Sequence, residues 1–458
     1  MEAVRYYLQQ ITNGQHLNAW LEIYEDEALK NAAILDANRI CNPNTIGKLH
    51  GVVVGLKDVI CYKGHKVSAA SKILENYTSL YNATATQRLL DEGAIIIGRQ
   101  NCDEFAMGSS NENSAFGPVK NPIDNTRVPG GSSGGSAVSV KADMCMISLG
   151  SDTGGSVRQP ADFCGIIGMK PSYGTISRYG LIAYASSFDQ IGIFAKNIDD
   201  VGIVLNVLAG QDEYDSTACQ KPLSIPTNNI GDKKLKICYF RNAIEHPGLD
   251  IEIATEITGF IDKLRNDDHT VEPIEFDLLD YVVPTYYVLT TAEASSNLSR
   301  YDGIKYGFSH KSDEQDLNDL YTLSRSKGFG KEVKKRILLG TFVLSAGYYD
   351  AYFNKAQQVR RLLLNQTEEI FSKYDILILP TVPYPAYKIG EKKDPIEIFL
   401  SDIYTVYANL VGIPAISLPL FTTRSGLPFG LQLMTSQNND LHLHLVSKKM
   451  IDLQSFTN

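Results

Sequence analysis

Two strings rich in glycine and serine hold the side chains of this sequence that are best suited to chemistry. The first runs from Val128 to Ser136 and the second from Leu149 to Pro160, with residues 137–148 between them. Glycine permits a left-handed backbone and the close approach of a ligand, and N–H groups at adjacent turns can bind an anion. Apolar runs flank both strings, whereas a flexible linker lies in polar surroundings. The pattern therefore predicts two structured turns separated by one helix and one buried strand.

The serines of these strings need a base from elsewhere in the chain. A serine hydroxyl becomes a nucleophile only when a base removes its proton. Histidine is the usual base, yet none of the eight histidines lies near either string in the sequence. A lysine can replace it if burial disfavours the charged ammonium. Lys57 follows the apolar run 51–55, which is typical of a buried strand, and we expect it to be the base.

Three further motifs, taken with the two strings, give the chain a specific resemblance to a known family. They are Gly55–Asp58, Asn101–Ser110 and the stretch Ser177–Gln190. With them the chain resembles the amidase signature family of Ser-Ser-Lys amidohydrolases, and the likeness extends from about His16 to about Leu441. The family's fold is an α/β/α sandwich built on a wide mixed sheet.

The resemblance implies a role for each member of the predicted catalytic group. Ser156 resembles the nucleophile that forms the acyl-enzyme, and Ser132 resembles a bridging serine in a cis peptide. Lys57 resembles the base that deprotonates Ser156 through Ser132. The oxyanion hole is expected at backbone N–H groups of the second string, namely those of Thr153, Gly154, Gly155 and Ser156.

A second set of residues resembles the part of the family's site that reads the α-amino and α-carboxylate groups of glutamine. Arg336 resembles the guanidinium that binds the carboxylate, since its planar fork suits two oxygens. Asp402 resembles the acceptor for the ammonium, and Tyr287 resembles a further pocket contact. Composition alone would make each an ordinary surface charge or core tyrosine, so these assignments rest on the resemblance.

The members of the family that this chain resembles most are glutaminases that serve a tRNA-dependent amidotransferase. The resemblance thus implies one component of a carbon–nitrogen ligase, which hydrolyses glutamine and supplies ammonia for the ATP-dependent conversion of Glu-tRNA(Gln) to Gln-tRNA(Gln). It also implies a heterotrimer with two other subunits, of the B and C type, in which a partner holds most of the tRNA. We expect no cofactor and no metal in this chain, and ATP and Mg at a partner subunit.

Three other functions are less consistent with the sequence. A free-standing amidase for small amides would not need Arg336 and Asp402, and a silent structural protein would not need all three of the predicted catalytic side chains. The segment Gly130–Gly134 also fits the G-x-S-x-G elbow of α/β-hydrolases, but that elbow directly follows a strand. Residues 121–129 are loop-like, so we predict no elbow.

Composition excludes several classes of protein. The chain of 458 residues is 43% hydrophobic and 21% charged, and its formal net charge of −9 argues against gripping a nucleic acid alone, because that requires clustered Lys and Arg. It has no apolar run of about eighteen residues and no signal-like start, so we expect no membrane association and a cytoplasmic location. The seven cysteines include no C-x-x-C pair and are predicted to be reduced, with Cys102 packed rather than nucleophilic.

The elements that must position these residues follow from the hydrophobic pattern. Strands are predicted at 19–24, 51–55, 94–98, 144–149, 166–169, 374–380, 412–419 and 428–434, and a second group of elements is predicted to begin at 233–240. Helices are predicted at 4–11, 25–40, 84–92, 197–209, 250–266, 284–298 and 345–372, and 302–330 is predicted to be a surface excursion over the site.

The alternation of strands and helices predicts an α/β/α sandwich on a wide mixed, largely parallel sheet, with the chemistry at strand ends. We expect a single amidase domain over residues 1–458. Its core is predicted at about 45–240 and 370–440, with helical and loop cap elements at about 245–345.

Overall fold

The computed structural model describes residues 1–41, 43–219, 231, 233–310, 316–391 and 401–455. This part of the chain contains eleven strands and fourteen α-helices. The strands are β1 (Trp20–Ile23), β2 (Val53–Lys57), β3 (Ile95–Gln100), β4 (Ile147–Asp152), β5 (Ile167–Lys170), β6 (Gln190–Ala195), β7 (Lys236–Phe240), β8 (Thr270–Ile274), β9 (Ile376–Pro380), β10 (Ala415–Thr422) and β11 (Pro428–Met434).

The helices lie between these strands and at both ends of the described chain. They are α1 (Glu2–Asn13), α2 (Glu25–Cys41), α3 (Thr84–Asp91), α4 (Gly134–Lys141), α5 (Arg158–Cys164), α6 (Ile198–Leu208), α7 (Arg241–Ile244), α8 (Ile251–Asn266), α9 (Leu279–Asn297), α10 (Leu317–Gly328), α11 (Lys331–Val343), α12 (Lys355–Lys373), α13 (Val406–Val411) and α14 (Asp440–Ser455). None of the helices described is long and apolar enough to cross a membrane.

All the strands belong to one sheet, in the order β1-β3-β2-β4-β6-β5-β10-β11-β9-β7-β8. The neighbours β3, β2 and β4 run parallel, as do β9, β7 and β8. The pairings at β1 and across the centre of the sheet are antiparallel. The wide mixed sheet is confirmed, but the expectation that it is largely parallel is wrong. A continuous apolar run shows that a strand is covered on both faces and leaves its direction open.

Alternate residues of the strands pack into two different hydrophobic clusters. Val53 and Ile95 pack with residues of α1, α2 and α4, whereas their neighbours Val54 and Ile96 pack with residues of α3 and α6. Successive side chains of a strand point to opposite faces of the sheet. Helices therefore cover both faces, which confirms the α/β/α sandwich.

The structure contains elements that the hydrophobic pattern did not predict, among them β6, β8 and α14, and it also differs from the predictions within residues 302–373. The predicted surface excursion contains α10, and the predicted helix 345–372 has its regular α-helical part only from Lys355, because Tyr349–Asn354 forms a π-helical turn. The buried face of α11 includes Arg336 and Gly340 beside two valines, so its apolar periodicity is weak. These elements matter because they carry part of the candidate site.

Candidate active site

Lys57 is the last residue of β2, and its side chain lies wholly inside the protein. Its Nζ is 2.7 Å from Ser132 Oγ, 2.8 Å from Ser133 Oγ and 2.9 Å from Ser151 Oγ. Both glycine and serine strings thus converge on the end of one buried strand. A hydroxyl can donate or accept, so this shell accommodates both the charged and the neutral amine.

Burial makes the neutral form of Lys57 more accessible than in a solvent-exposed lysine. Burial lowers the pKa of Lys57 from its ordinary 10.5 to about 8, although nearby acidic groups, Asp103 and Asp152 among them, oppose the shift. Desolvation disfavours the ammonium because the charge loses its hydration. A lysine with this pKa is suited to accept a proton near neutral pH.

The turn that carries Ser132 is held by its backbone. The Gly131–Ser132 peptide is cis, as the family resemblance implies. The Ser132 carbonyl accepts a hydrogen bond from the Asp103 N–H at 3.0 Å, and the Ser133 N–H donates to the Ser156 carbonyl at 3.2 Å. Ser133 directly precedes α4. The two turns are therefore joined by a hydrogen bond between their backbones, and Ser156 lies beside the serines that surround Lys57.

A buried ion pair fixes the turn that carries Ser156. Asp152 is the last residue of β4, and both oxygens of its carboxylate accept from Arg158, at 3.0 and 3.1 Å. Burial by itself would raise the pKa of Asp152, but the Arg158 guanidinium lowers it to about 2. The same carboxylate accepts from the backbone N–H of Gly155 at 2.8 Å and of Val157 at 3.1 Å. The turn is thus closed around a charged pair.

One expected oxyanion donor is already hydrogen-bonded in this geometry. The N–H of Gly155 points to Asp152 and donates to its carboxylate. Gly155 has a φ of +125°, and a Cβ there would lie 2.4 Å from Thr405 Oγ1. Only glycine adopts that backbone readily. Thr153, Gly154 and Ser156 remain as candidate donors.

The far side of the same turn is tied to distant parts of the chain. Arg158 also donates to the Thr405 carbonyl at 2.8 Å, to Gln432 Oε1 at 2.5 Å and to Asn409 Oδ1 at 2.6 Å. Thr405 Oγ1 donates to the Gly154 carbonyl at 2.7 Å. Residues near the end of the chain therefore hold the Ser156 turn in place.

Asp189 links that turn to Tyr184, whose hydroxyl contacts Arg336. Its Oδ1 accepts from Thr153 Oγ1 at 2.7 Å, and its Oδ2 accepts from the N–H groups of Tyr184 and Ala185 at 2.9 and 3.0 Å. Burial raises the pKa of Asp189 to about 7, against the effect of these donors. Thr153 and Tyr184 are thus held by one carboxylate.

Arg336 lies on the buried face of α11 with 7% of its surface exposed. Its Nε donates to Glu332 Oε1 at 2.8 Å and its Nη1 to the Tyr184 hydroxyl at 2.7 Å. The guanidinium carbon also lies 5.6 Å from the ring centre of Tyr184 and 5.4 Å from that of Tyr287. The cation is therefore framed by aromatic rings and is not a solvated surface charge.

Asp402 lies on the other side of Tyr287. The Tyr287 hydroxyl donates to Asp402 Oδ2 at 2.9 Å, so this tyrosine touches both charged residues predicted for substrate recognition. Burial raises the pKa of Asp402 to about 6, while Tyr287 and Arg336 oppose the shift. The Thr405 N–H donates to the Asp402 carbonyl at 3.1 Å, which places the carboxylate next to the residue that contacts Gly154. Opposite charges therefore converge beside the Ser156 turn.

Sequence reasoning missed several residues that shape this site. Ser133 and Ser151 lie inside the glycine and serine strings, but nothing in the sequence distinguished them as contacts of Lys57. Asp189 and Tyr184 belong to the motif Ser177–Gln190, yet a sequence alone does not show which turn they reach. For Asp152 the sequence held one signal: the second string also contains Arg158, and the opposite charges of the two residues can pair.

Other predictions concern residues around the site. Residues 128–133 before α4 are irregular, so no strand directly precedes Ser132 and the hydrolase elbow is absent there. Cys102 is fully buried, and burial raises its pKa, as expected for a packed thiol. Over the described ranges, no group of three or more His, Cys, Asp or Glu side chains is arranged to hold a metal ion.

Comparison with known proteins gives consistent matches over nearly the whole chain. A protein-family model described as Amidase matches residues 2–443. The A subunit of glutamyl-tRNA(Gln) amidotransferase from Chlorobium phaeobacteroides (strain BS1) is 49% identical over 431 residues, which cover 93% of this chain and 90% of that protein. The protein of the same name from Koribacter versatilis (strain Ellin345) is 50% identical, covering 91% of this chain and 87% of its own length.

A solved structure agrees with these matches. The crystal structure of the A subunit of glutamyl-tRNA(Gln) amidotransferase from Thermotoga maritima superposes with a TM-score of 0.81 at 38% identity. The alignment covers 97% of this chain and 90% of that one.

Proposed function

The chain belongs to the amidase family, and from that premise we propose that it is the glutaminase subunit of glutamyl-tRNA(Gln) amidotransferase, which is a carbon–nitrogen ligase. The observation that carries the proposal is the convergence of Arg336, Tyr287 and Asp402 beside the Ser156 turn. The guanidinium of Arg336 suits the α-carboxylate of glutamine, and the carboxylate of Asp402 suits its α-ammonium group. A neutral amide without these two groups has nothing that Arg336 or Asp402 could bind.

The proposed reaction begins at Lys57. Its neutral amine accepts the proton of Ser132, whose Oγ takes the proton of Ser156, and Ser156 Oγ attacks the side-chain carbonyl carbon of glutamine. The N–H groups of Thr153, Gly154 and Ser156 stabilise the oxyanion. The proton returns through Ser132 to the leaving nitrogen, ammonia departs, and a glutamyl ester on Ser156 remains. Water then hydrolyses this ester to glutamate by the same relay.

The ammonia is used by the rest of the complex. Two partner subunits, of the B and C type, complete the proposed heterotrimer, and the partner side binds ATP and Mg and holds most of the tRNA. The net charge of −9 is consistent with this division of labour, because a tRNA needs cationic contacts. The reaction takes place in the cytoplasm, and no cofactor is assigned to this chain.

The test separates ammonia production from its use. In the complex assembled with its partners, Ser156→Ala should lower glutamine hydrolysis by more than about a thousandfold, the scale of losing a catalytic nucleophile. Ammonium supplied in excess should restore amidation of Glu-tRNA(Gln) by the same variant. Near-normal glutamine turnover by Ser156→Ala would reject the nucleophile, and an intact complex that ammonium fails to rescue would show that this chain does more than make ammonia.

A further inference from the structure

Glu104 is a buried carboxylate that the proposed reaction does not use. It is 2% exposed, and its oxygens accept hydrogen bonds from the Ser71 hydroxyl and from the backbone N–H of Gly330, the latter at 2.8 and 3.1 Å. A carboxylate inside a protein needs such donors to offset lost hydration. The groups that donate to Glu104 therefore indicate which segments of the chain it holds in place.

Gly330 immediately precedes α11, the helix that carries Arg336. The first N–H groups of a helix have no partner within the helix, and its N-terminus favours negative charge. A Cβ at Gly330 would lie 2.2 Å from Glu104 Oε2, so the carboxylate rests directly against the backbone. Ser71 also donates to the Gly328 carbonyl at 3.3 Å. Glu104 and Ser71 together hold the turn between α10 and α11.

The residue before Glu104 contacts the catalytic turn. The N–H of Asp103 donates to the Ser132 carbonyl at 3.0 Å. Two adjacent residues thus touch the bridging serine on one side and the helix of Arg336 on the other. The C-terminal half of α11 is fixed separately, since a Cβ at Gly340 would lie 1.9 Å from the Thr291 carbonyl oxygen of α9. Glu104 supplies the anchor at the N-terminal end.

We propose that Glu104 is a positioning residue for glutamine: it anchors the start of α11 so that Arg336 meets the substrate carboxylate at a fixed distance from the serines. This inference rests on the proposed function and adds a residue that does not itself touch the substrate. Its effect should fall mainly on substrates with an α-carboxylate, because Lys57 donates to three serines and none of them lies on α11.

The experiment compares glutamine with butyramide, which has the same amide but neither charged group. In the assembled complex, Glu104→Ala should raise the KM for glutamine by about tenfold or more, as expected when the hydrogen bonds that hold the start of α11 are lost. Butyramide hydrolysis should change by less than about threefold. Glu104→Gln keeps an acceptor for the Gly330 N–H and should restore most of the glutamine KM.

Two further variants separate positioning from general damage. Gly330→Ala pushes a methyl group against Glu104 from the other side and should also raise the glutamine KM selectively. Asp440→Ala removes a different buried carboxylate, which accepts from the Ser172 N–H and hydroxyl, and should lower thermal stability without separating the two substrates.

The outcomes are distinguishable. An unchanged glutamine KM in Glu104→Ala, or an equal loss for both substrates, overturns the inference and leaves the proposed function standing. A wild-type complex that hydrolyses butyramide but not glutamine overturns the proposed function and this inference with it.

Discussion

At the scale of single residues, the site depends on a lysine whose hydrogen-bond partners in the described part of the chain are hydroxyl groups rather than carboxylates. The hydroxyls of Ser132, Ser133 and Ser151 form hydrogen bonds with Lys57 Nζ. Unlike a carboxylate, they do not stabilise the ammonium through an ion pair. A carboxylate at the same distance would favour the ammonium and raise the pKa. The serines therefore provide hydrogen bonds and leave burial to set the protonation state.

The burial of Lys57 among serine hydroxyls predicts how glutamine hydrolysis depends on pH. With a pKa of about 8 instead of 10.5, the neutral fraction of Lys57 at pH 7 rises from about 0.03% to about 9%. Because the neutral amine is the active form, kcat/KM should increase as pH rises toward about 8, whereas at higher pH the loss of the substrate's ammonium proton, which Asp402 is proposed to recognise, acts in the opposite direction. The measurement is kcat/KM for glutamine from pH 6.5 to 9.5. A flat profile would contradict the role of Lys57 as the base.

The two charged residues of the pocket predict substrate selectivity. Arg336→Ala and Asp402→Ala should each lower kcat/KM for glutamine by about a hundredfold or more, because each leaves a desolvated substrate charge without its partner. Butyramide hydrolysis, poor in the wild type, should stay within about threefold. Since burial raises the pKa of Asp402 to about 6, the KM for glutamine should also increase below that pH as the carboxylate gains a proton. Equal losses for both substrates would mean that the variants disturb the scaffold.

At the scale of elements, the site depends on the close packing of α11 against α9. Gly340→Ala places a methyl group against the Thr291 carbonyl oxygen, so it should destabilise the protein by about 1–3 kcal/mol and raise the KM for glutamine by displacing Arg336. Gly259→Ala in α8 is the matched control: a Cβ there meets nothing within 4 Å, and the change should stabilise by about 0.5–1 kcal/mol. Thermal denaturation and glutamine kinetics of both variants test this. Equal stability of the two variants would contradict the packing.

Some elements were predictable from the sequence and others were not, for identifiable physical reasons. β2 and β3 are continuous apolar runs, so their existence and the helix between them followed from the pattern. The direction of β10 and β11 did not follow, because burial on both faces gives the same run in either direction, and β6 was not predicted at all. The position of Lys57 at the end of a buried strand was predictable from local sequence. The contacts of Asp189 and Glu104 join segments that are distant in sequence, and local patterns carry no information about them.

At the scale of the whole molecule, the net charge bears on the proposal that other subunits hold most of the tRNA. The net charge of −9 opposes binding to a polyanion. We therefore expect the isolated chain to bind tRNA no more tightly than about 10⁻⁴ M at physiological salt, the weak end of non-specific binding. The assembled complex should bind it far more tightly. Measuring both by fluorescence anisotropy tests this, and tight binding by the isolated chain would assign tRNA contacts to this protein.

The contacts of the Arg158 guanidinium also bear on when the Ser156 turn can form during synthesis of the chain. The residues that hold the Ser156 turn in place lie far downstream, the last of them, Gln432, 274 residues after Arg158. A growing chain on the ribosome thus contains its lysine and both serines long before it contains the groups that frame them. We therefore expect the Ser156 turn to reach its final geometry only when almost all of the polypeptide has emerged, so a fragment that ends before Gln432 should be a poor glutaminase.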